Sequence, residues 1–481
     1  MSLPDDSSDH SSLAGLARRL GPFDAAAIVI SNVIGGGIYF VPIIVAGLIP
    51  FTGWLLAAWL LGGLLAFAGA MAYAELATLR PHAGGEYVYL REAYGPLAAF
   101  LTGWTSFVAG FSGSIASGAV ALSEYIARFV PALSDQTPLL TLPVPWVNLA
   151  VTRQSLVAIG AIVLFSLVHF HARGRVVHNM LTLGKVLALV VFIALGLWWG
   201  HGAMGNLAST HPVANPQLGW LLALPPIMLT YSGWNAAAYV AEEIKDPNRN
   251  VPRALALGTI GVVLIYMALN ILFLYAMPIG DLAALDGRLA DSVAERLFGT
   301  AAGDLLGAFA IVSLAASISA MVIAGPRVYY AMARDHVFLK SAAQVHPQQR
   351  TPMRAITAQA VWSSVLALSG TLTQLVLYTG FAVVVFSGVA VMAVFTLRRR
   401  HPDADRPFKA LGYPLAPAFF VIASAIMVVY EVINEPVPTL AGLGVIAVGV
   451  PVYFIATRGS GRPLTSFSGS PESSSCDRSP R

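Results

Sequence analysis

AAAIVISNVIGGGIYFVP, residues 25–42, is an apolar run whose middle works against a helix. Gly35, Gly36 and Gly37 follow one another there, and Ser31 and Asn32 stand one turn earlier. Each glycine costs a helix about 1 kcal/mol relative to alanine, so three in succession favour a local break. A break bares amide hydrogens and carbonyls, which lipid tolerates only where they line a cavity or meet a ligand. The competing reading is a glycine face for close helix packing. That motif repeats its small residues every fourth position, whereas these are contiguous. A second stretch, LPPIMLTYSGWNAAAYVAEEIKDPNRNVPRA at 224–254, is of the same kind. Pro225 and Pro226 precede Tyr231, Ser232, Gly233, Trp234 and Asn235, and proline, serine, glycine and asparagine each interrupt a helical ladder for a different reason. One proline-kinked helix is the alternative there.

The surrounding chain decides what kind of solvent these runs meet. Of 481 residues, 57% are hydrophobic and 11% charged, and the mean hydropathy is +0.71. Soluble domains carry about a quarter charged residues. A bilayer core needs roughly 20 apolar residues per helix, and blocks of that kind recur almost end to end. Their backbone must be satisfied internally, so they are expected to be helices. The spans are placed at 23–47, 53–79, 97–130, 154–172, 176–200, 216–242, 253–277, 301–334, 354–370, 373–397, 415–433 and 437–457. The expected fold is an all-α membrane protein of twelve transmembrane helices.

The net charge of +4 is spread over short loops and makes no stripe suited to nucleic acid. With the N-terminus inside, only Arg128, Arg153, Arg288 and Arg296 of the 28 lysines and arginines fall outside, and Lys185 lies within a span. Positive-inside asymmetry therefore places both termini in the cytoplasm, at a cell membrane. No apolar stretch precedes Arg18 and Arg19, so no cleaved signal peptide is expected. The only cysteine, Cys476, forms no internal disulfide and no metal cluster. Residues 1–12 and 459–481 are polar and expected to be disordered.

Two interrupted spans, the first and the sixth, occupy corresponding positions if spans 1–5 and 6–10 are repeats. Five is odd, so the second repeat runs inverted, which sets the two breaks face to face near the midplane. A half-helix N-terminus offers N–H groups and positive dipole to an anion. Unwound carbonyls beside it accept from an ammonium. Carboxylate and ammonium held a few ångströms apart describe an α-amino acid. The expected organisation is a cytoplasmic segment 1–22, repeats 23–200 and 201–397, helices 11 and 12 in 398–457, and a cytoplasmic tail 458–481.

SNVIGGGIYFVP (31–42), AYAELATLRPHAGGEYVYLREAYG (72–95) and YSGWNAAAYVAEEIKDPNRNVPRA (231–254) resemble the first-helix, second-to-third-helix and sixth-helix signatures of the amino acid–polyamine–organocation superfamily. RPFKALGYPLAPAFF (406–420) resembles the loop into helix 11 of its L-type amino acid transporter branch and bacterial relatives. The likeness covers about residues 20–457 in order. It implies the leucine-transporter-type 5+5 fold. It also implies that the Gly35–Gly36–Gly37 turn holds the substrate carboxylate, through the Gly36 and Gly37 amides. The carbonyls of Val33, Leu229 and Ser232 would take the amino group, with Tyr231 and Trp234 near the pocket wall or gate. Two positions depart from the pattern: Gly36 replaces the usual serine, and Leu229 replaces an aromatic gate. The branch's disulfide-linked heavy subunit needs a cysteine after helix 3; residues 131–153 have none, so no such partner is expected.

Lys185 lies about 13 Å inside the fifth span, where an amine is costly and must be neutral or paired. By the resemblance, a lysine here takes the place of a sodium ion and ties the broken first helix to helix 8, with Ser317 and Ser319 as candidate contacts. Two readings of it stand, a coupling group for protons and a structural tether. Elsewhere Glu75 is expected to reach water, Glu124 to pair with Arg128, and Glu242–Glu243 with Lys245–Asp246 to form a salt-bridged gate element. His169 and His171 point to different faces of a helix, so no metal site is expected, and no cofactor. An intramembrane enzyme would need a nucleophile–base or metal constellation at depth, and a channel would need a filter or charge ring; neither is evident. A cationic amino acid or polyamine antiporter would want a mid-span carboxylate, and none is obvious. The expected function is secondary active transport of neutral L-amino acids, as sodium-independent exchanger or proton symporter. Helices 1, 2, 6 and 7 would rock against 3, 4, 8 and 9.

Overall fold

The computed structural model of the chain describes residues 15–458, apart from 135–136, 145–146, 286–288, 300–301, 370–371 and 435. The tails expected to be disordered, and Cys476, lie outside the described residues. Among these, nine helices are long and apolar enough to cross a membrane. In chain order the helices are α1 (Pro22–Val33), α2 (Val41–Leu48), α3 (Thr52–Leu79), α4 (Glu86–Tyr94), α5 (Pro96–Thr105) and α6 (Phe111–Phe129). There follow α7 (Arg153–Phe170), α8 (Gly174–Trp198), α9 (Gly219–Thr230), α10 (Ala236–Tyr239), α11 (Pro247–Ala276), α12 (Ile279–Ala283) and α13 (Leu289–Phe298). The last are α14 (Ala302–Arg334), α15 (Met353–Ser369), α16 (Leu372–Arg400), α17 (Leu415–Asn434) and α18 (Pro436–Arg458).

Nine long helices and twelve apolar segments are reconciled by three elements. α1 and α9 are apolar but have 12 residues each. At 1.5 Å per residue each covers about 18 Å, little more than half of a hydrocarbon core. α15 has 17 residues and begins immediately after Pro352. The third segment is continuous but not uniform: α5 and α6 are joined by a π-helical turn, Ser106–Gly110. That turn releases carbonyls from the regular ladder, and neighbours occupy two of them. Tyr329 donates to the Ser106 carbonyl at 3.1 Å and the Trp362 indole to Val108 at 2.9 Å.

An all-helical chain is not quite what forms. β1 (Leu140–Val144) and β2 (Val147–Val151) pair antiparallel, with Leu140 opposite Val151. The run LTLPV–VNLAV is rich in β-branched residues and too short to span lipid, so outside the bilayer it pairs with itself. Glu75 does not reach water either; it is 2% exposed. Arg398 holds both its oxygens at 2.8 and 2.6 Å, Arg406 approaches at 3.3 Å and the Ala410 amide donates at 2.7 Å. Nor does Glu124 hold Arg128, which pairs with Asp291 and Asp304.

The core is built where α1 packs on α11, α14, α8 and α10, and where α9 packs on α2, α3 and α17. α3 packs on α11, α6 on α14 and α7 on α15. α6 also meets α16, and α14 meets α8.

Candidate functional site

α1 stops where its sequence turns polar and then glycine-rich. Its cap residue, Ile34, has left the helix at ψ 89°, and a 3-10 turn, Gly37–Tyr39, leads into α2. Gly36 is solvent-exposed inside this otherwise packed region, and a Cβ placed on it would meet nothing within 4 Å. Its N–H has no acceptor among the described residues. The sixth segment stops at Thr230. Residues 231–235 turn through Gly233, at φ +102°, before α10 resumes.

The two breaks touch. The Asn32 amide donates to the Gly233 carbonyl at 3.4 Å, and a Cβ on Gly233 would stand 2.7 Å from that amide nitrogen. A Cβ on Gly37 would press against the Thr230 side chain at 3.0 Å. From α11, the Tyr266 hydroxyl lies between the two helix ends, 2.9 Å from the Val33 carbonyl and 3.2 Å from that of Thr230. Gly35 faces the same hydroxyl through its backbone. Asn32 Oδ1 is buried and unpaired. Bare donors, half-used acceptors and an orphan amide oxygen thus stand together where the two breaks meet.

Of the residues expected at such a site, Val33, Gly35, Gly36, Gly37, Leu229 and Ser232 border the breaks. Of the three carbonyls expected to take the amino group, two are already engaged: Val33 accepts from Tyr266, and Leu229 accepts the Ser232 amide at 3.1 Å and faces the Tyr231 amide. The half-buried Leu229 side chain packs towards Gly380 of α16. Tyr231 and Trp234 are not placed as expected. Both are nearly fully buried against α3. The Tyr231 hydroxyl donates to the Trp59 carbonyl at 3.2 Å, and Trp234 sits edge-on to Tyr73 and Phe420. Glycines open the space they fill: a Cβ on Gly62 or Gly69 would collide with Ile227 or the Trp234 ring. These aromatics brace the break from behind.

Lys185 is fully buried, and its ammonium donates to the Ile34 carbonyl at 2.5 Å, to Ser317 Oγ at 2.8 Å and to the Ser31 carbonyl at 3.4 Å. It therefore holds the bared C-terminal carbonyls of α1, where a cation is also favoured by the helix dipole. Ser317 shares the Ile34 carbonyl at 2.9 Å. Ser319 does not join this cluster; two residues on along α14, its neighbourhood is different. Its hydroxyl bridges His169 Nε2 at 2.7 Å and His178 Nδ1 at 3.2 Å. Thr182 links His178 to Ser31, at 3.4 and 2.7 Å. Sequence reading missed Tyr266, Asn32 and His178. A signal existed for the last: His178, Thr182 and Lys185 fall at i, i+4 and i+7, one polar stripe on an apolar helix. His169 and His171 do not converge, and among the described residues no three His, Cys, Asp or Glu side chains are placed to hold a metal.

The Glu242–Glu243 pair is less solvated than expected. Glu243 meets Arg327 at 2.7 and 3.2 Å in a nearly buried pair, and Glu242 lies 3.5 Å from Arg334 and accepts the Ala83 amide. The Glu243 carbonyl also accepts the amides of Arg19 and Leu20 at 2.8 and 2.9 Å, which seals the end of α1 against the end of the sixth segment.

Half-helices that present bare peptide groups where two breaks meet define a membrane carrier, a protein that binds a small solute and does no chemistry on it. The chain belongs to the amino acid permease family, whose model matches residues 20–455. Within that superfamily it groups with the L-type branch. It is 28% identical over 455 residues to the serine/threonine exchanger SteT of Bacillus subtilis (strain 168), covering 92% of this chain and 98% of that protein. The large neutral amino acids transporter small subunit 2 of Mus musculus is 28% identical, with 93% of this chain and 82% of that protein covered. The Asc-type amino acid transporter 1 of Mus musculus is 29% identical, with 93% and 83% covered. The chain is an amino acid transporter of the membrane and not an enzyme.

Proposed function

We propose that this protein carries neutral L-amino acids by alternating access, exchanging them across the plasma membrane without sodium. One observation carries the reading: the unpaired amide of the exposed Gly36 and the carbonyls of Val33, Leu229 and Ser232 stand at two helix breaks that touch. The carboxylate sits at the Gly35–Gly36–Gly37 turn, and the amino group at the carbonyls and Asn32 Oδ1. Tyr231 and Trp234 act as bracing, not as wall. The one carboxylate bordering the breaks, Glu86, is enclosed by Asn235, Tyr239 and Thr102 and not left for a cationic side chain, which argues for a neutral distal group. Sodium independence follows from Lys185, whose ammonium stands among carbonyl and hydroxyl oxygens where a metal cation would otherwise sit. Exchange agrees with the bacterial relative, a serine/threonine exchanger.

The architecture belonging to this reading is twelve spans, with repeats 23–200 and 201–397 inverted and helices 11 and 12 appended. Contacts between corresponding spans support a twofold relation between 1–5 and 6–10: α3 packs on α11, α6 on α14 and α7 on α15, and α6 with α16 mirrors α14 with α8. Both termini are cytoplasmic in this scheme. The protein works without a disulfide-linked heavy subunit, because no cysteine occurs in 131–153.

The test is uptake of a labelled amino acid panel into liposomes holding the purified protein, with and without internal amino acid. Neutral members should enter, faster by tenfold or more with substrate inside, and sodium should make no difference. Gly36→Ala should fold and transport, since a methyl meets nothing, whereas Gly36→Leu should fold and lose uptake. Full uptake by Gly36→Leu would move the site elsewhere.

A further inference from the structure

Glu86 begins α4 directly beside the inner half of the broken sixth segment. Gly84 and Gly85 precede it at φ +113° and +51°, and a Cβ on Gly85 would lie 2.5 Å from the Tyr239 ring. Only glycine lets the start of α4 press so closely on α10. The result is a carboxyl group 6% exposed. Oε1 accepts from Asn235 Nδ2 and from the Tyr239 hydroxyl, both at 2.8 Å, and Oε2 accepts from Thr102 at 3.3 Å. The Tyr73 hydroxyl also faces it.

No cation answers it among the described residues. The basic groups of this end are engaged elsewhere: Arg327 with Glu243, Arg334 with Glu242, Arg91 with Asp335. His82 faces Glu242 and the arginines. The titratable groups around Glu86 are Tyr73 from α3, Tyr89 from α4 and Tyr239 from α10. None of these tyrosines carries charge near neutrality. A buried carboxylate without a counter-ion is costly, whereas the neutral acid is not. Burial pushes the Glu86 carboxyl above its ordinary range, against the pull of hydrogen bonds from Tyr239, Thr102 and Asn235. The shell suits either form, because two of its three hydrogen-bonded partners are hydroxyls that donate to a carboxylate and accept from an acid.

We infer that Glu86 is a proton-binding site that latches α10 onto α4, taking a proton when the inner end of the broken span is docked and releasing it when that end swings away. The inference rests on the transport reading only for its consequence; the latch itself is a property of the docked helix. When α10 leaves, Glu86 loses Asn235 and Tyr239 and gains water, so its pKa returns towards the ordinary value of about 4.3. The docked form then has the higher proton affinity. Acid favours docking, and the bias is lost as pH rises through the docked-state pKa. The proton comes from water on the face carrying Arg80 and Arg91 and returns there when the O–H bond breaks.

The test uses the full chain with Cys476→Ser and one probe, Ala237→Cys, a fully buried α10 position. Labelling by a small maleimide is compared in this parent and in Glu86→Gln between about pH 5 and 8. The ratio of the two rates cancels the thiol's own titration. The parent should label several-fold faster than Glu86→Gln at the alkaline end, and the two should converge in acid. A ratio flat with pH overturns the latch, whatever transport shows. Should Glu86→Gln fail to fold, Tyr239→Phe keeps the carboxyl but removes a donor to its charged form. The midpoint of the pH dependence should then rise by about half a unit, and an unmoved midpoint overturns the inference. In liposomes carrying labelled serine, the transport consequence is an exchange rate that falls several-fold in acid and a Glu86→Gln rate pinned at the acid value. A wild-type protein that moves no amino acid at all would sink the transport reading while leaving the labelling result to decide the latch.

Discussion

Lys185 and Ser319 show how far a single residue's surroundings decide its role. The ammonium closes three acceptors that the end of α1 leaves open, and Ser317 completes the knot by sharing the Ile34 carbonyl. Ser317→Ala should therefore resemble Lys185→Met: both loosen the end of α1, and exchange should drop tenfold or more in each. Ser319→Ala touches a different cluster, the hydroxyl between His169 and His178. It should cost about 1–3 kcal/mol through unpaired buried imidazoles while leaving the exchange rate within twofold. Exchange rates and melting points of the three purified variants separate the roles. A Lys185→Met protein with normal exchange would show that transport does not depend on the lysine holding the end of α1. From sequence, Lys185 stands out because a charge in an apolar span always does. The choice between Ser317 and Ser319 depends on the rotation of α14, which an apolar helix with a weak stripe leaves open.

Elements are interrupted here for reasons that local chemistry states and long-range contact completes. The glycine run and the Tyr231–Asn235 turn were legible because contiguous breakers cannot be absorbed in lipid. Their mutual contact was inferred only from the pairing of first and sixth spans. The structure adds the joint itself, where Gly233 in left-handed backbone accepts the Asn32 amide. Gly233→Ala pays twice, in backbone strain and in a methyl 2.7 Å from that amide nitrogen. It should destabilise by about 2 kcal/mol or more and abolish exchange, whereas Gly205→Ala, with open space around it, should do neither. The hairpin at 140–151 and the Tyr231 and Trp234 packing escaped sequence reading for opposite reasons. A ten-residue strand pair is hidden by the length scale of membrane helices. The aromatics were assigned by resemblance, and their direction is set by the glycines of α3, a partner distant in sequence. α14 and the end of the sixth segment share the buried Arg327–Glu243 pair. Arg327→Leu leaves Glu243 buried without its cation and should cost about 3–5 kcal/mol, measured as a fall in melting temperature that Lys340→Leu, on an exposed turn, does not share.

At the scale of the whole molecule, the arrangement is a balance between apolar length and basic charge. Exposed leucines, valines and phenylalanines on α8, α17 and α18 face away from the core, as lipid contact requires. Under the proposed orientation the arginine pair Arg18–Arg19, the Arg398–Arg400 run and the loop through Lys409 would share one side, with Arg128 and Arg153 on the other. Inverting the protein would carry most of its basic residues across the bilayer, which is what the positive-inside bias opposes. The apolar segment count enters here as well. If α1 with α2, and α9 with α10, each cross once, the side of every later loop follows; if either pair formed a re-entrant turn, all downstream loops would change sides. Single cysteines placed in a Cys476→Ser background decide between these cases. Gly15→Cys and Asp403→Cys should react with an impermeant maleimide only after the membrane is opened, and Ser134→Cys should react in intact cells. Labelling of Asp403→Cys from outside, with Gly15→Cys still protected, would mean that one of the broken spans turns back without crossing, and the inverted repeat would go with it.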